Sequence, residues 1–164
     1  MFETHADATY AWLGLALVSV ATAGVAASFP SSPPPDAAGV AHTIDSVADG
    51  DHPATAEHGL AADRIRLTTR SVALSDGDGT SRAALHGSHI TPVRRVDDGG
   101  AAGGDVRLRQ VLDGVPPDAV FDDRDAFSAA AAEARGTDHE WRPASERLTV
   151  RRVHYEGVHV TLVG

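Results

Sequence analysis

The chain has 164 residues, and its 14 basic side chains, all Arg, face 23 acidic ones, for a net charge of -9. A surface of that sign repels phosphate backbones, so DNA and RNA are excluded as expected partners. The absence of cysteine excludes a disulfide framework, a thiolate metal site and a cysteine nucleophile.

The chain opens on a short acidic N-terminus, residues 1–9, whose charges are Glu3 and Asp7. Residues 10–29 (YAWLGLALVSVATAGVAASF) then carry no charge. At a rise of about 1.5 Å per residue a helix of this length spans about 30 Å, the thickness of a bilayer's hydrocarbon core. Tyr10, Trp12 and Phe29 sit where interfacial aromatics belong, and a Pro/Ser-rich break over residues 30–35 ends the helix. An uncleaved transmembrane anchor is the favoured reading. A cleaved signal peptide is the alternative, with small-residue sites at 21–23 and 25–27, but it lacks the positive N-terminal region; a buried core helix is the third reading. Gly14, Gly24 and Ser28 are the candidate helix-packing positions, since small residues let a second membrane helix approach closely.

Residues 36–63 are expected to form an acidic stalk. Asp36 is a suitable N-cap, and Val40, Ile44 and Val47 fall on one face of a short helix ending near Gly50. That helix either continues the membrane helix or packs its stripe on the following domain. Residues 51–62 read as a connection. Charge is divided accordingly: residues 1–63 hold eight acidic side chains and no Arg, and 64–164 hold 15 acidic side chains and all 14 Arg. With no basic residue flanking the span before Arg64, the positive-inside rule is silent on topology. Lys-free composition with 17 Asp to 6 Glu is expected of an extreme halophile, a GC-rich genome being the other source.

Residues 64–164 are expected to be an α+β head domain with an antiparallel sheet and two or three short helices. Ile65 and Leu67 begin a strand with one face buried. Val72 and Leu74 lie in the opposite parity, which requires a turn near 68–70. Asp76-Gly77-Asp78-Gly79 joins a strand at 71–75 to a weaker one at 82–86. A further strand is read at 90–96, with Pro92 confining it to an edge. Residues 97–104 form an acidic glycine-rich loop. Asp105 is read as the cap of a helix carrying Leu108, Val111 and Leu112, closed by Gly114. A second helix starts at 122–125, buries Phe127, Ala130, Ala131 and Ala134, and ends at Arg135-Gly136. The last hairpin turns at Glu156-Gly157.

Chemical motifs are sparse. His86 and His89 have a spacing that a turn could bring together, and His154 and His159 fall opposite each other across a two-residue turn. Neither pair is joined by the further ligands that zinc needs, so no metal, cofactor or catalytic residue is assigned. Ser81, Ser88 and Ser145 have no nucleophile elbow, the Asp76 turn lacks the distal ligand of a calcium loop, and the Gly99-Gly100 and Gly103-Gly104 pairs do not follow a buried strand. Asp97-Asp98 and Asp122-Asp123 read as loop charge and a helix cap.

The span YAWLGLALVSVATAGVAASFP, the stretch PPPDAAGVAHTIDSVADG, Thr91-Pro92-Val93 and the C-terminal RLTVRRVHYEGVHVTLVG together resemble an uncharacterised family of haloarchaeal membrane proteins. That family is similar in organisation to pilins and is associated with archaeal type IV pilus or tight-adherence-like secretion systems. The resemblance carries no catalytic residue. Residues 1–9 depart from the prepilin pattern in having no basic residue before the apolar segment. It implies a membrane-anchored, pilin-like accessory component, structural and non-enzymatic, in a single-pass position in the cell membrane with the head outside. Its implied partners are membrane lipid and other pilin-like subunits or assembly proteins. Two alternatives stand beside it: a single-span envelope protein whose exposed domain binds a ligand or partner protein, and a secreted hydrolase.

Overall fold

The computed structural model describes residues 34–94, 103–137 and 140–164. The segment 10–29 with Gly14, Gly24 and Ser28, and the loop residues 97–102, lie outside the described residues. Among the described residues no helix is long and apolar enough to cross a membrane. Pro34–Gly164 is one compact unit.

That unit begins on helix α1, Ala37–Ala48, where Asp36 accepts a 2.8 Å hydrogen bond from the Gly39 amide at the N-cap. Val40, Ile44 and Val47 are buried together with Ala37, Ala41 and Ala48. Of the two destinations open to this stripe, the structure has the second: α1 is packed into the core of the following domain. The next segment is a strand, β1 (Ala54–Gly59), which pairs antiparallel with β7 (Arg147–Tyr155). The stretch 51–62 is therefore not a mere connection. Its strand is an edge, and its Thr, Glu and His side chains give no alternation of apolar residues to announce it. No boundary falls at residue 63, because α1 and β1 are built into the same core as everything after them.

The expected single sheet is two. One has the order β1-β7-β8-β5, with β8 at Val158–Val163 and β5 at Ile90–Pro92; the other has β4-β3-β2-β6, from Thr80–Ala84, Ser71–Ser75, Arg64–Leu67 and Arg142–Pro143. β4 begins two residues earlier than expected, directly after the Asp76 turn, and β5 stops at Pro92, an edge strand as its proline requires. β5 runs parallel to β8, and the remaining pairings are antiparallel.

Side-chain parity on β7 divides the core in two. Leu148 and Val150, with Val163, face α1 and the inward residues Ile65, Leu67, Val72 and Leu74 of the second sheet. Val153, with Val160 and Leu162, faces the other way, onto α2 (Gly103–Leu112) and α3 (Arg124–Gly136). Asp105 is the third residue of α2 and not its cap, since the helix starts at Gly103. Gly114, at φ 116°, closes α2 while the Val115 amide reaches back to the Gln110 carbonyl, the C-terminal pattern that glycine permits. Asp123 caps α3 through the Ala126 amide at 2.7 Å, and Phe127, Ala130, Ala131 and Ala134 are its buried face. The result is an α+β unit with the first sheet as its middle layer.

Candidate functional site

The chemistry-bearing side chains gather where β8 begins. Glu156 (φ 46°) and Gly157 (φ 84°) form the two-residue turn between β7 and β8, whose positive φ values match the twist of a tight hairpin. Farther along, Thr149 and Gly164 exchange both backbone hydrogen bonds at 3.0 Å. Counting back in register, His154 and His159 form a pair without hydrogen bonds, the kind whose side chains come closest. Their rings stack with centroids 4.1 Å apart and planes 17° apart.

Arg152, two residues before His154 on the same face, donates from Nε to His154 Nε2 at 3.0 Å. An accepting Nε2 is a deprotonated one, so the bond requires neutral His154. Desolvation first, then the nearby His159, Arg152 and His52, hold His154 below the ordinary histidine value. The Arg152 guanidinium also donates from Nη1 to the Ala48 carbonyl. It thereby satisfies the C-terminus of α1, whose last turn contains no basic residue of its own.

Because β5 pairs only with Thr161, Leu162 and Val163, the first half of β8 has an open edge. The 86–89 loop stands on one side of that edge and α3 on the other. Together they border an open cleft of about 460 Å³ whose polar lining is Ser88, His89, Ser128, Arg135, Arg152 and His159. The loop is held by α1: Asp45 Oδ1 accepts from the His86 and Gly87 amides, both at 3.0 Å. His89 follows at φ 55°. Arg135, in the last turn of α3, donates from Nη1 to the buried Thr91 hydroxyl at 2.9 Å. Burial holds its guanidinium below the ordinary arginine value. Among the described residues no carboxylate lines the cleft.

Of the residues singled out in the sequence, His89 and His159 meet here with Ser88, while His86 lines an adjoining hollow that shares His89 and Arg135. Among the described residues no three His, Asp or Glu side chains converge as a metal would require. Ser145 donates to the Arg147 carbonyl at 2.6 Å, and Asp76 accepts from the Asp78 and Gly79 amides within its own turn. Arg152 was legible in principle: it continues the parity of Leu148 and Val150 toward α1, and an arginine at an inward position signals a polar task. Arg135 read only as a helix-terminal charge.

No curated protein and no solved structure matches this chain. The model of one family of unknown function, DUF7283, matches residues 3–153, which take in the apolar segment and most of the folded unit. The chain therefore belongs to the DUF7283 family.

Proposed function

We propose that the chain is a membrane-anchored, pilin-like accessory component of an archaeal type IV pilus or secretion system, structural and non-enzymatic. Residues 10–29 hold it in the cell membrane as a single pass, and the α+β unit is displayed outside. The observation that carries this reading is the entry into the folded unit. Pro35 is buried, and α1, which follows it at once, has its apolar face wholly inside the core. A tether attached there ends on a central core helix and not on a loose stalk, which suits a subunit that transmits load to its head. Gly14, Gly24 and Ser28 then serve contacts with other pilin-like subunits.

The test is retention and proximity in membranes. The protein is expected to resist high-salt and carbonate washes and to need detergent for release. Cysteines at Gly24 and Ser28 are expected to cross-link to a second copy or another subunit more than cysteines at Thr22 and Ala26. A mature protein starting after Ala23 or Ala27 by intact mass would replace the anchor with a cleaved signal. Equal, low cross-linking at all four positions would remove the pilin-like assembly. A second reading, a single-span envelope protein whose exposed domain binds a ligand or partner protein, is favoured by the arginine-lined cleft, where no described residue is a carboxylate.

A further inference from the structure

The two guanidiniums at the cleft are an anomaly in an acidic chain. Where 23 carboxylates are available, neither Arg135 nor Arg152 forms an ion pair among the described residues. Arg135 is half-buried, and a single bond to a threonine hydroxyl uses one of its five N–H donors. Desolvating a cation without a counter-charge is unfavourable unless something else meets it. Around it stand more donors: the Ser88 and Ser128 hydroxyls and the His89 and His159 imidazoles. The backbone adds another, since the register that leaves His154 and His159 without mutual hydrogen bonds turns the His159 amide away from β7, to the edge that β5 leaves open.

We propose that this cleft binds a tetrahedral oxyanion, the phosphate or sulfate group of an ester. The donors approach from three elements, the 86–89 loop, α3 and the start of β8. A planar carboxylate would satisfy the Arg135 fork alone, whereas a tetrahedral group presents oxygens in several directions at once. The cleft is open, with Ser88, His89 and His159 exposed at its margin, so a larger polar group such as a sugar that carries the oxyanion has room to extend from it. A lining whose described residues include no carboxylate suits such a ligand.

This inference rests on the ligand-binding reading of the head and is independent of the pilus assignment. It is tested with the full chain in detergent at about 1 M NaCl, where a Debye length near 3 Å removes diffuse attraction and leaves direct contacts. Equilibrium dialysis compares glucose 6-phosphate, inorganic phosphate, inorganic sulfate and acetate. Saturable binding is expected for the first three, tightest for glucose 6-phosphate. Arg135→Gln is expected to weaken it about tenfold or more, the loss of a charge-assisted hydrogen bond. His159→Gln and Ser128→Ala, which leave the Arg135–Thr91 bond in place, are expected to weaken it less, and Arg82→Gln on the far sheet is expected to leave it unchanged. Circular dichroism of each variant separates lost binding from lost folding. Equal binding of inorganic phosphate and glucose 6-phosphate would overturn the ester and leave a free-anion site. Acetate binding as tightly as phosphate would overturn the tetrahedral assignment and leave a ligand-binding head. No saturable binding of any of the four, or binding indifferent to Arg135, His159 and Ser128 in folded variants, would overturn the site.

Discussion

The imidazoles of His154 and His159 lie face to face across the β7–β8 hairpin, 4.1 Å between centroids, with the Arg152 guanidinium bonded to the edge of His154. Three groups that can each carry positive charge are thus in contact, with His52 close enough to add to the field at His154. The arrangement is comfortable only while His154 is neutral.

A pH dependence follows. His154 is held below the ordinary histidine value of about 6.5 by desolvation and by His159, Arg152 and His52. As pH falls through that value, the unfolded chain takes up the proton before the folded one does, so stability is complete above it and declines below it. The melting temperature of the full chain is expected to drop between about pH 7 and 5.5, and His154→Gln is expected to flatten the curve. Parallel curves for the two proteins would show that this histidine does not contribute.

How much of this was legible in the sequence depends on whether the informative residues were neighbours along the chain. The α1 stripe, the Asp36 and Asp123 caps, the inner face of α3 and the facing of His154 on His159 all follow from local spacing, and all are present. β1 was hidden because an edge strand of Thr, Ala, Glu and His has no apolar alternation. The split into two sheets is set by which strands meet across long separations, such as β6 with β2, and local pattern does not encode that. The cleft was hidden for the same reason: Ser88, Ser128 and Arg152 share it only after β5 has docked beside β8.

Phe127 anchors the cluster between the first sheet and the two later helices. Its ring is fully buried and packs edge-to-face with Phe121 and Tyr155, at centroid separations of 5.3 Å and 5.9 Å. Phe127→Ala removes the transfer energy of the ring and leaves a cavity, an expected loss of about 3–5 kcal/mol in chemical denaturation. A loss under 1 kcal/mol would mean that the site collapses freely.

Arg152 joins β7 to the end of α1 through the Ala48 carbonyl. Arg152→Met keeps much of the apolar stem and removes the charged donor, with an expected loss of about 1–2 kcal/mol. The same change removes one of the positive neighbours that lower His154, so the acid limb of the stability curve is expected to become shallower. A loss of stability with an acid limb of unchanged depth would confine Arg152 to the helix end.

Salt is expected to matter for the whole chain. Asp36, Asp49, Asp51 and Glu57 are exposed along the first part of the folded unit, and the net charge is -9. Lowering salt from molar to about 0.1 M lengthens the Debye length to about 10 Å and lets these carboxylates repel one another. Melting temperature is expected to fall on dilution, with a chelator having no effect. Salt-independent melting would remove the halophile reading of the composition.

Asp45 fixes the loop that brings His89 to the cleft, and its role separates from that of an ordinary surface acid. One carboxylate oxygen accepts from two successive amides, those of His86 and Gly87. Gly87 must come this close: a Cβ there would press on the Ala48 Cβ of α1 well inside van der Waals contact. Asp45→Ala leaves two amides without their acceptor and is expected to cost about 1–3 kcal/mol. Asp45→Asn keeps an oxygen in place and is expected to cost less than half of that. Gly87→Ala pushes the loop off the helix from the other side, at a cost of about 1–3 kcal/mol. Hydrogen exchange at the His86 and Gly87 amides supplies the local readout, fast in Asp45→Ala and slow in Asp45→Asn. If both amides exchange at the same rate in wild type and Asp45→Ala, the loop is held by something other than this carboxylate.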